Sequence, residues 1–200
     1  MYAPFGGLSA RTEPDGEPRG LGLVLPGRAY SPAAPLLEFA RLALLQNGYA
    51  VQQLWWDSGS RPPDRDPGDW VAEQAAAALA AEATPPRSVV LVGKSLGARG
   101  TPYAAEHGFA AVWLTPLLVE PAVVEGIRAN TAPQLLVGGT GDEFWDADIA
   151  AGLVREGCDV MEVPDADHGL CVAGDVVRSA RIHAEVTARV DAFLAGLGTA

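Results

Sequence analysis

The run Ser88-Val89-Val90-Leu91-Val92-Gly93-Lys94-Ser95-Leu96-Gly97 decides the fold. Val89 to Val92 are four consecutive apolar residues, mostly β-branched, the composition of a strand buried on both faces of a parallel sheet. They run into G-x-S-x-G, and the helix formers Leu96, Ala98 and Arg99 follow. A serine on a sharp turn between strand and helix sits in a strained backbone, and glycine two residues to either side lets strand and helix approach closely. Ser95 is therefore expected at the carboxyl edge of a sheet. It stands where a helix start offers free N–H groups and a positive dipole end to negative charge developing nearby.

A serine hydroxyl is a weak nucleophile at neutral pH and needs a base oriented by an acid. Working outward from Ser95, Leu135-Leu136-Val137-Gly138-Gly139-Thr140-Gly141-Asp142 is a second buried-strand run, ending in a turn with an acid. Val160-Met161-Glu162-Val163-Pro164-Asp165-Ala166-Asp167-His168-Gly169 is a third, ending in a histidine. Whole strand-plus-helix units fit between the three residues. The chain order Ser, Asp, His is that of the α/β-hydrolase fold, and differs from the orders of chymotrypsin and subtilisin.

On these residues the chain resembles the α/β-hydrolase family, specifically its small, lidless, dienelactone-hydrolase-like members, from about Leu21 onward. Leu21-Gly22-Leu23-Val24-Leu25-Pro26-Gly27-Arg28 looks like the strand that leads into that family's oxyanion loop. Many members carry His-Gly where this chain has Pro26-Gly27, a departure that spares the chemistry because main-chain N–H groups bind the oxyanion. The resemblance implies a mostly parallel sheet of about six or seven strands flanked by helices, with no substantial lid. It also implies a catalytic triad of Ser95, Asp142 and His168, and oxyanion donors at the N–H of Leu96 and of Arg28 or Ala29.

The composition of 200 residues, 48% hydrophobic and 20% charged, suits one core, so residues 1–200 are expected to form one domain. Residues 1–20 read as a polar segment, irregular or an edge strand, and lack the basic start and apolar core of a secretory leader. No apolar run is long enough to cross a membrane. A net charge of −11 disfavours nucleic acid and anionic membranes as partners. Cys158 and Cys171 sit in no metal-ligand or C-x-x-C spacing, so neither a metal, another cofactor nor a disulfide framework is expected. Two free thiols suit a reducing cytoplasm, the expected location. Monomer and homodimer remain equally open.

Short Val/Leu-rich runs alternate with longer Ala/Leu/Glu/Arg segments, the pattern of βα units. Strands are expected near 21–25, 50–55, 88–93, 110–115, 134–138 and 159–163, and helices over most of 33–47, 69–83, 96–106, 120–129, 145–156 and 176–196. Asp69 and Asp175 are candidate N-caps, and Gly48, Gly108 and Gly157 stand where helices end. Residues 57–68, rich in Pro, Arg, Asp and Gly, read as an exposed loop. The segment between the strands near 110–115 and 134–138 is too short for a multi-helix lid.

Each site residue has rivals. His107 falls at a helix end and His183 within a helix, where surface and capping roles are ordinary; only His168 follows a strand. Glu143, Asp146 and Asp148 lie close to Asp142, while Asp165 and Asp167 read as groups that cap or solvate the histidine loop. Lys94 reads as structural, with its stem packed behind the elbow and its ammonium paired with a carboxylate. Arg99 reads as a salt-bridge partner, and Cys171 as a small buried hydrophobe bordering the pocket. Ala29, Tyr30, Trp113, Thr115, Leu117 and Trp145 are candidates for lining an acyl pocket, with Trp55, Trp56 and Trp113 equally readable as core or sheet-edge aromatics.

Together these residues point to a serine hydrolase acting on a small neutral or hydrophobic carboxylic ester or thioester through an acyl-enzyme. Two alternatives stay open. One is a non-hydrolytic biosynthetic enzyme, such as a cyclase, lyase or acyltransferase, on the same fold. The other is a ligand-binding or signalling protein with a vestigial triad.

Overall fold

The computed structural model describes residues 11–197. Seven strands form one sheet: β1 Arg11–Thr12, β2 Gly20–Leu25, β3 Tyr49–Gln53, β4 Val89–Lys94, β5 Ala110–Leu114, β6 Gln134–Gly139 and β7 Asp159–Val163. Their spatial order is β1-β3-β2-β4-β5-β6-β7. All neighbours are parallel except β1, which pairs antiparallel with β3 at the edge (Arg11 opposite Gln52, Thr12 opposite Val51). Residues 1–10, half of the N-terminal segment 1–20 singled out above, lie outside the described residues.

Every residue of β2, β4 and β6 is buried, as the unbroken apolar runs require. Alternation then sorts their side chains to two cores. Leu21, Leu23, Leu25 and Leu91 pack beneath α2 Pro67–Ala80, α3 Thr101–His107, α4 Pro121–Ala129 and α5 Ala147–Arg155. Val24, Val90, Val92 and Val137 pack on the opposite face beneath α1 Pro35–Gln46 and α6 Val176–Gly196. In α6 the buried residues Ser179, Ile182, Val186, Val190 and Leu194 recur at three or four, the stripe of an amphipathic helix.

The chain runs β2, β3 toward one edge, then returns so that β4 lies on the other side of β2. The loops after β2 and β4 therefore diverge to opposite faces at the centre of the sheet. A crevice opens there, beyond the carboxyl ends of the strands.

Several boundaries differ from the expectation, each for a local reason. Asp66, not Asp69, caps α2: its Oδ1 accepts the N–H of Gly68 and Asp69, and Pro67 takes the first helical position. The segment 57–68 thus contains a 3₁₀ turn, Ser58–Ser60, capped by Asp57, and the start of a helix. The single helix expected over 96–106 is a 3₁₀ turn, Ser95–Gly100, followed by α3, because Gly97 and Gly100 weaken the α form and Pro102 starts a new helix. Asp175 caps α6 as expected, accepting the N–H of Arg178, and Gly48, Gly108 and Gly157 hold positive φ past α1, α3 and α5. Between β5 and β6 stands only the nine-residue α4, with no lid.

Candidate active site

Ser95 has φ of 52°, the left-handed backbone of a nucleophile elbow. The two glycines are required by contact. A Cβ on Gly97 would lie 2.1 Å from the carbonyl oxygen of Leu25, and one on Gly93 would lie 2.7 Å from that of Gly97. Strand β4, the 3₁₀ turn and strand β2 touch backbone to backbone here, and that contact raises Ser95 to the sheet edge.

The loops after β6 and β7 bring the acid and the histidine to the same place. The Ser95 hydroxyl stands 2.8 Å from His168 Nε2, and His168 donates its Nδ1–H to Asp142 Oδ2 at 2.7 Å. The tautomer follows from the network: a carboxylate can only accept, so Nδ1 carries the proton and Nε2 is free to accept from Oγ–H. The Asp142 side chain is fully buried, and its Oδ1 accepts the N–H of Phe144 at 3.0 Å. The edge of the Phe144 ring packs on the imidazole, centroids 5.0 Å apart, while the imidazole keeps about a third of its surface exposed.

The rival groups are engaged elsewhere. Asp146 caps α5 through Ile149 N–H, Glu143 and Asp148 are exposed, and Asp165 pairs with Arg178. Asp167 Oδ1 accepts the N–H groups of Gly169 and Cys171 and so shapes the histidine loop. His107 faces the Tyr103 carbonyl on the surface, and His183 Nε2 lies 3.2 Å from the carbonyl oxygen of Gly169.

The loop after β2 packs over Ser95, so closely that a Cβ on Gly27 would stand 3.6 Å from the serine Cβ. The N–H groups of Arg28 and Ala29 meet no acceptor among the described residues. Leu96 N–H lies in the first turn after Ser95, where a helix leaves its N–H groups unused. All three residues line the same cleft as Ser95.

A cleft of about 840 Å³ opens over Ser95 and His168. Arg28, Ala29, Tyr30, Leu96 and Leu117 line it. Trp113, Thr115 and Trp145 do not. Trp113 is fully buried in the core and donates its indole N–H to Gln134; Trp145 packs behind β6 with its N–H on Glu162. Thr115 is buried below the site, at φ 44°, with its hydroxyl on Lys94. Trp113 lies in β5, where the pleat turns it into the core, while Thr115 and Trp145 lie in the loops after β5 and β6 and are buried by packing away from the cleft. The sequence reading missed Phe144, and it missed Ser58, Arg61 and Pro67 from the segment taken as a plain exposed loop. Their only sequence signal was proximity to Asp142 and to the proline-rich break.

The overall charge of −11 does not extend into the cleft. Arg28, Arg61 and Arg99 line it with a single carboxylate, Glu120, which pairs with Arg99. Arg61 spends its guanidinium on the carbonyls of Pro62 and Arg65, and Arg28 forms no ion pair among the described residues. Lys94 is also at odds with its expectation. It is buried as foreseen, but its ammonium meets a hydroxyl, a carbonyl and the Tyr30 ring, with no carboxylate at ion-pair distance among the described residues.

No protein-family model and no curated protein matches the sequence; solved structures do match. The esterase Est1E from Butyrivibrio proteoclasticus, solved with ferulic acid bound, superposes at a TM-score of 0.73 over 94% of this chain and 93% of its own, at 16% identity. An α/β serine hydrolase without lid from Xanthomonas campestris gives 0.69 over 94% and 87%, also at 16% identity. An α/β serine hydrolase homologue from Coxiella burnetii gives 0.68 over 90% and 89%, at 18% identity. The chain has the α/β-hydrolase fold. Among the described residues no lid stands over the cleft at the sheet edge. Among the described residues no helix is long and apolar enough to cross a membrane.

Proposed function

We propose that this α/β-hydrolase-fold protein is a serine hydrolase that cleaves a small carboxylic ester or thioester through an acyl-enzyme. The observation that carries the reading is the unbroken chain of contacts from Ser95 Oγ to His168 Nε2 at 2.8 Å and from Nδ1 to the buried Asp142 at 2.7 Å. In the first half-reaction Ser95 Oγ attacks the substrate carbonyl while its proton passes to His168 Nε2. Asp142 holds the ring in the accepting tautomer and offsets the imidazolium charge. The oxyanion takes hydrogen bonds from Leu96 N–H and from Arg28 or Ala29 N–H. His168 then protonates the leaving alcohol or thiol, and water repeats the sequence on the acyl-enzyme.

The open cleft admits water to the acyl-enzyme, which favours hydrolysis over transfer to another acceptor. The arginines at its rim add an electrostatic preference: beside the reacting carbonyl there is room and charge for one anionic group on the substrate.

Intact mass after incubation with a fluorophosphonate tests the reading. One adduct is expected on the wild type and none on Ser95→Ala or His168→Ala. A folded wild type that takes up no adduct would sink it and favour a ligand-binding role, and a product analysis lacking free acid would favour a non-hydrolytic enzyme.

A further inference from the structure

Lys94 is the chain's one lysine, and it occupies the second position of the elbow motif. It is 2% exposed, among the largest fully buried side chains. Its Nζ donates to the main-chain carbonyl of His168 at 2.9 Å and to Thr115 Oγ1 at 3.0 Å, and stands 4.6 Å from the centroid of the Tyr30 ring. These partners come from three separate loops, after β7, β5 and β2. An ammonium buried without a touching counter-ion is costly, and an apolar side chain could fill the same space without that cost. Its retention asks for a role.

The connectivity supplies one. Lys94 is joined by a peptide bond to Ser95, and its side chain ends on the carbonyl of His168, whose ring returns to Ser95 Oγ. Nucleophile and base are thereby closed into one ring, in which Lys94 references the histidine loop to the strand that carries the serine. Elsewhere the loop is tied within itself, to α6 and to the loop after β6: Asp167 binds the N–H of Gly169 and Cys171, His183 faces the carbonyl of Gly169, and the Ala166 carbonyl accepts the N–H of Gly141. The ammonium is also attracted by the nearby carboxylates of Asp142 and Asp167, which flank the same histidine.

We propose that Lys94 is a positioning residue that sets the His168 imidazole against Ser95. The inference rests on the triad reading above. The titratable groups facing the ammonium are Tyr30 on the β2 loop, Asp142 on the β6 loop, and Asp167, His168 and Cys171 on the β7 loop, with His183 of α6 behind Cys171. Asp142 and Asp167 favour the charged lysine, but burial outweighs them and lowers its pKa to about 8.

The test follows the rate of fluorophosphonate labelling of the full chain at neutral pH, with folding checked by circular dichroism. Lys94→Met is expected to label about 100-fold more slowly, the scale of a 1 Å misplacement. Lys94→Arg, which restores a donor to the His168 carbonyl, should recover at least about tenfold of the lost rate, a rescue that mere packing would not give. Labelling of Lys94→Met within about threefold of wild type, or no recovery in Lys94→Arg, would reduce Lys94 to packing and overturn the proposal. Should Lys94→Met not fold, Thr115→Val removes one acceptor of the ammonium and leaves the triad residues in place. Slower labelling is then expected, and an unchanged rate overturns the proposal. A wild type that does not label at all is a different result, since it defeats the triad reading itself.

Discussion

Replacing Asp142 by Asn changes one atom type in a fully buried side chain, and the structure says what must follow. Asp142 Oδ1 accepts the N–H of Phe144, so the amide oxygen of the new residue keeps that bond and its NH₂ turns toward His168 Nδ1. Nδ1 must then accept, the ring proton moves to Nε2, and the nitrogen facing Ser95 at 2.8 Å can no longer take the hydroxyl proton. The lost attraction between carboxylate and nascent imidazolium at 2.7 Å is about 6 kcal/mol at an effective dielectric of about 20. A four-decade fall in kcat corresponds to about 5.5 kcal/mol, the same scale. The expected outcome for Asp142→Asn is thus a loss of about 10⁴ in kcat for a p-nitrophenyl ester, with KM nearly unchanged and the fold intact. Glu143→Gln, at an exposed neighbour, serves as control. A loss smaller than about tenfold would refute the reasoning, for it would mean that another group orients His168.

Trp113→Phe removes an indole whose N–H is buried on Gln134, and is expected to cost about 2 kcal/mol, lowering Tm by about 4–8 °C. Its acyl-chain-length profile should not change; an altered profile would return Trp113 to the pocket. Arg28→Ala and Arg61→Ala should each raise KM for a carboxylate-bearing ester about two- to fivefold while sparing p-nitrophenyl acetate, and the difference should fade in salt. Equal effects on both esters would deny the rim its preference. Lys94 is lowered from its ordinary 10.5 to about 8 by burial, so between those pH values the unfolded chain binds more protons than the folded one. Lys94 therefore favours the fold increasingly as pH rises through that window. Denaturant titrations of wild type against Lys94→Met should show the stability difference moving toward the wild type from pH 8 to 10; a flat difference would contradict the burial of the charge.

Much of this molecule is legible in one dimension because its signals are local. The four-residue apolar run before Gly93, the glycines that flank Ser95, and the order of Ser95, Asp142 and His168 are facts of neighbouring residues and chain direction. A doubly wound sheet converts such facts into place, since every residue after a strand lands on the same edge. Strand positions and helix-ending glycines were readable for the same reason. What the tertiary structure alone decided was which side of that edge each residue faces and what it meets there. Trp113 stood near the right end of β5, but the pleat turned it into the core, and packing buried Thr115 and Trp145, in the loops after β5 and β6, away from the cleft. Arg61, Pro67 and Phe144 reached the cleft from segments that carry no pattern. Lys94 read as a stem packed behind the elbow with its ammonium on a carboxylate; only the meeting of three loops around that ammonium, contacts spanning 21 and 74 residues of chain, placed it on a hydroxyl and on the His168 carbonyl instead. Local chemistry named the candidate reacting groups, and long-range contact determined what surrounds them.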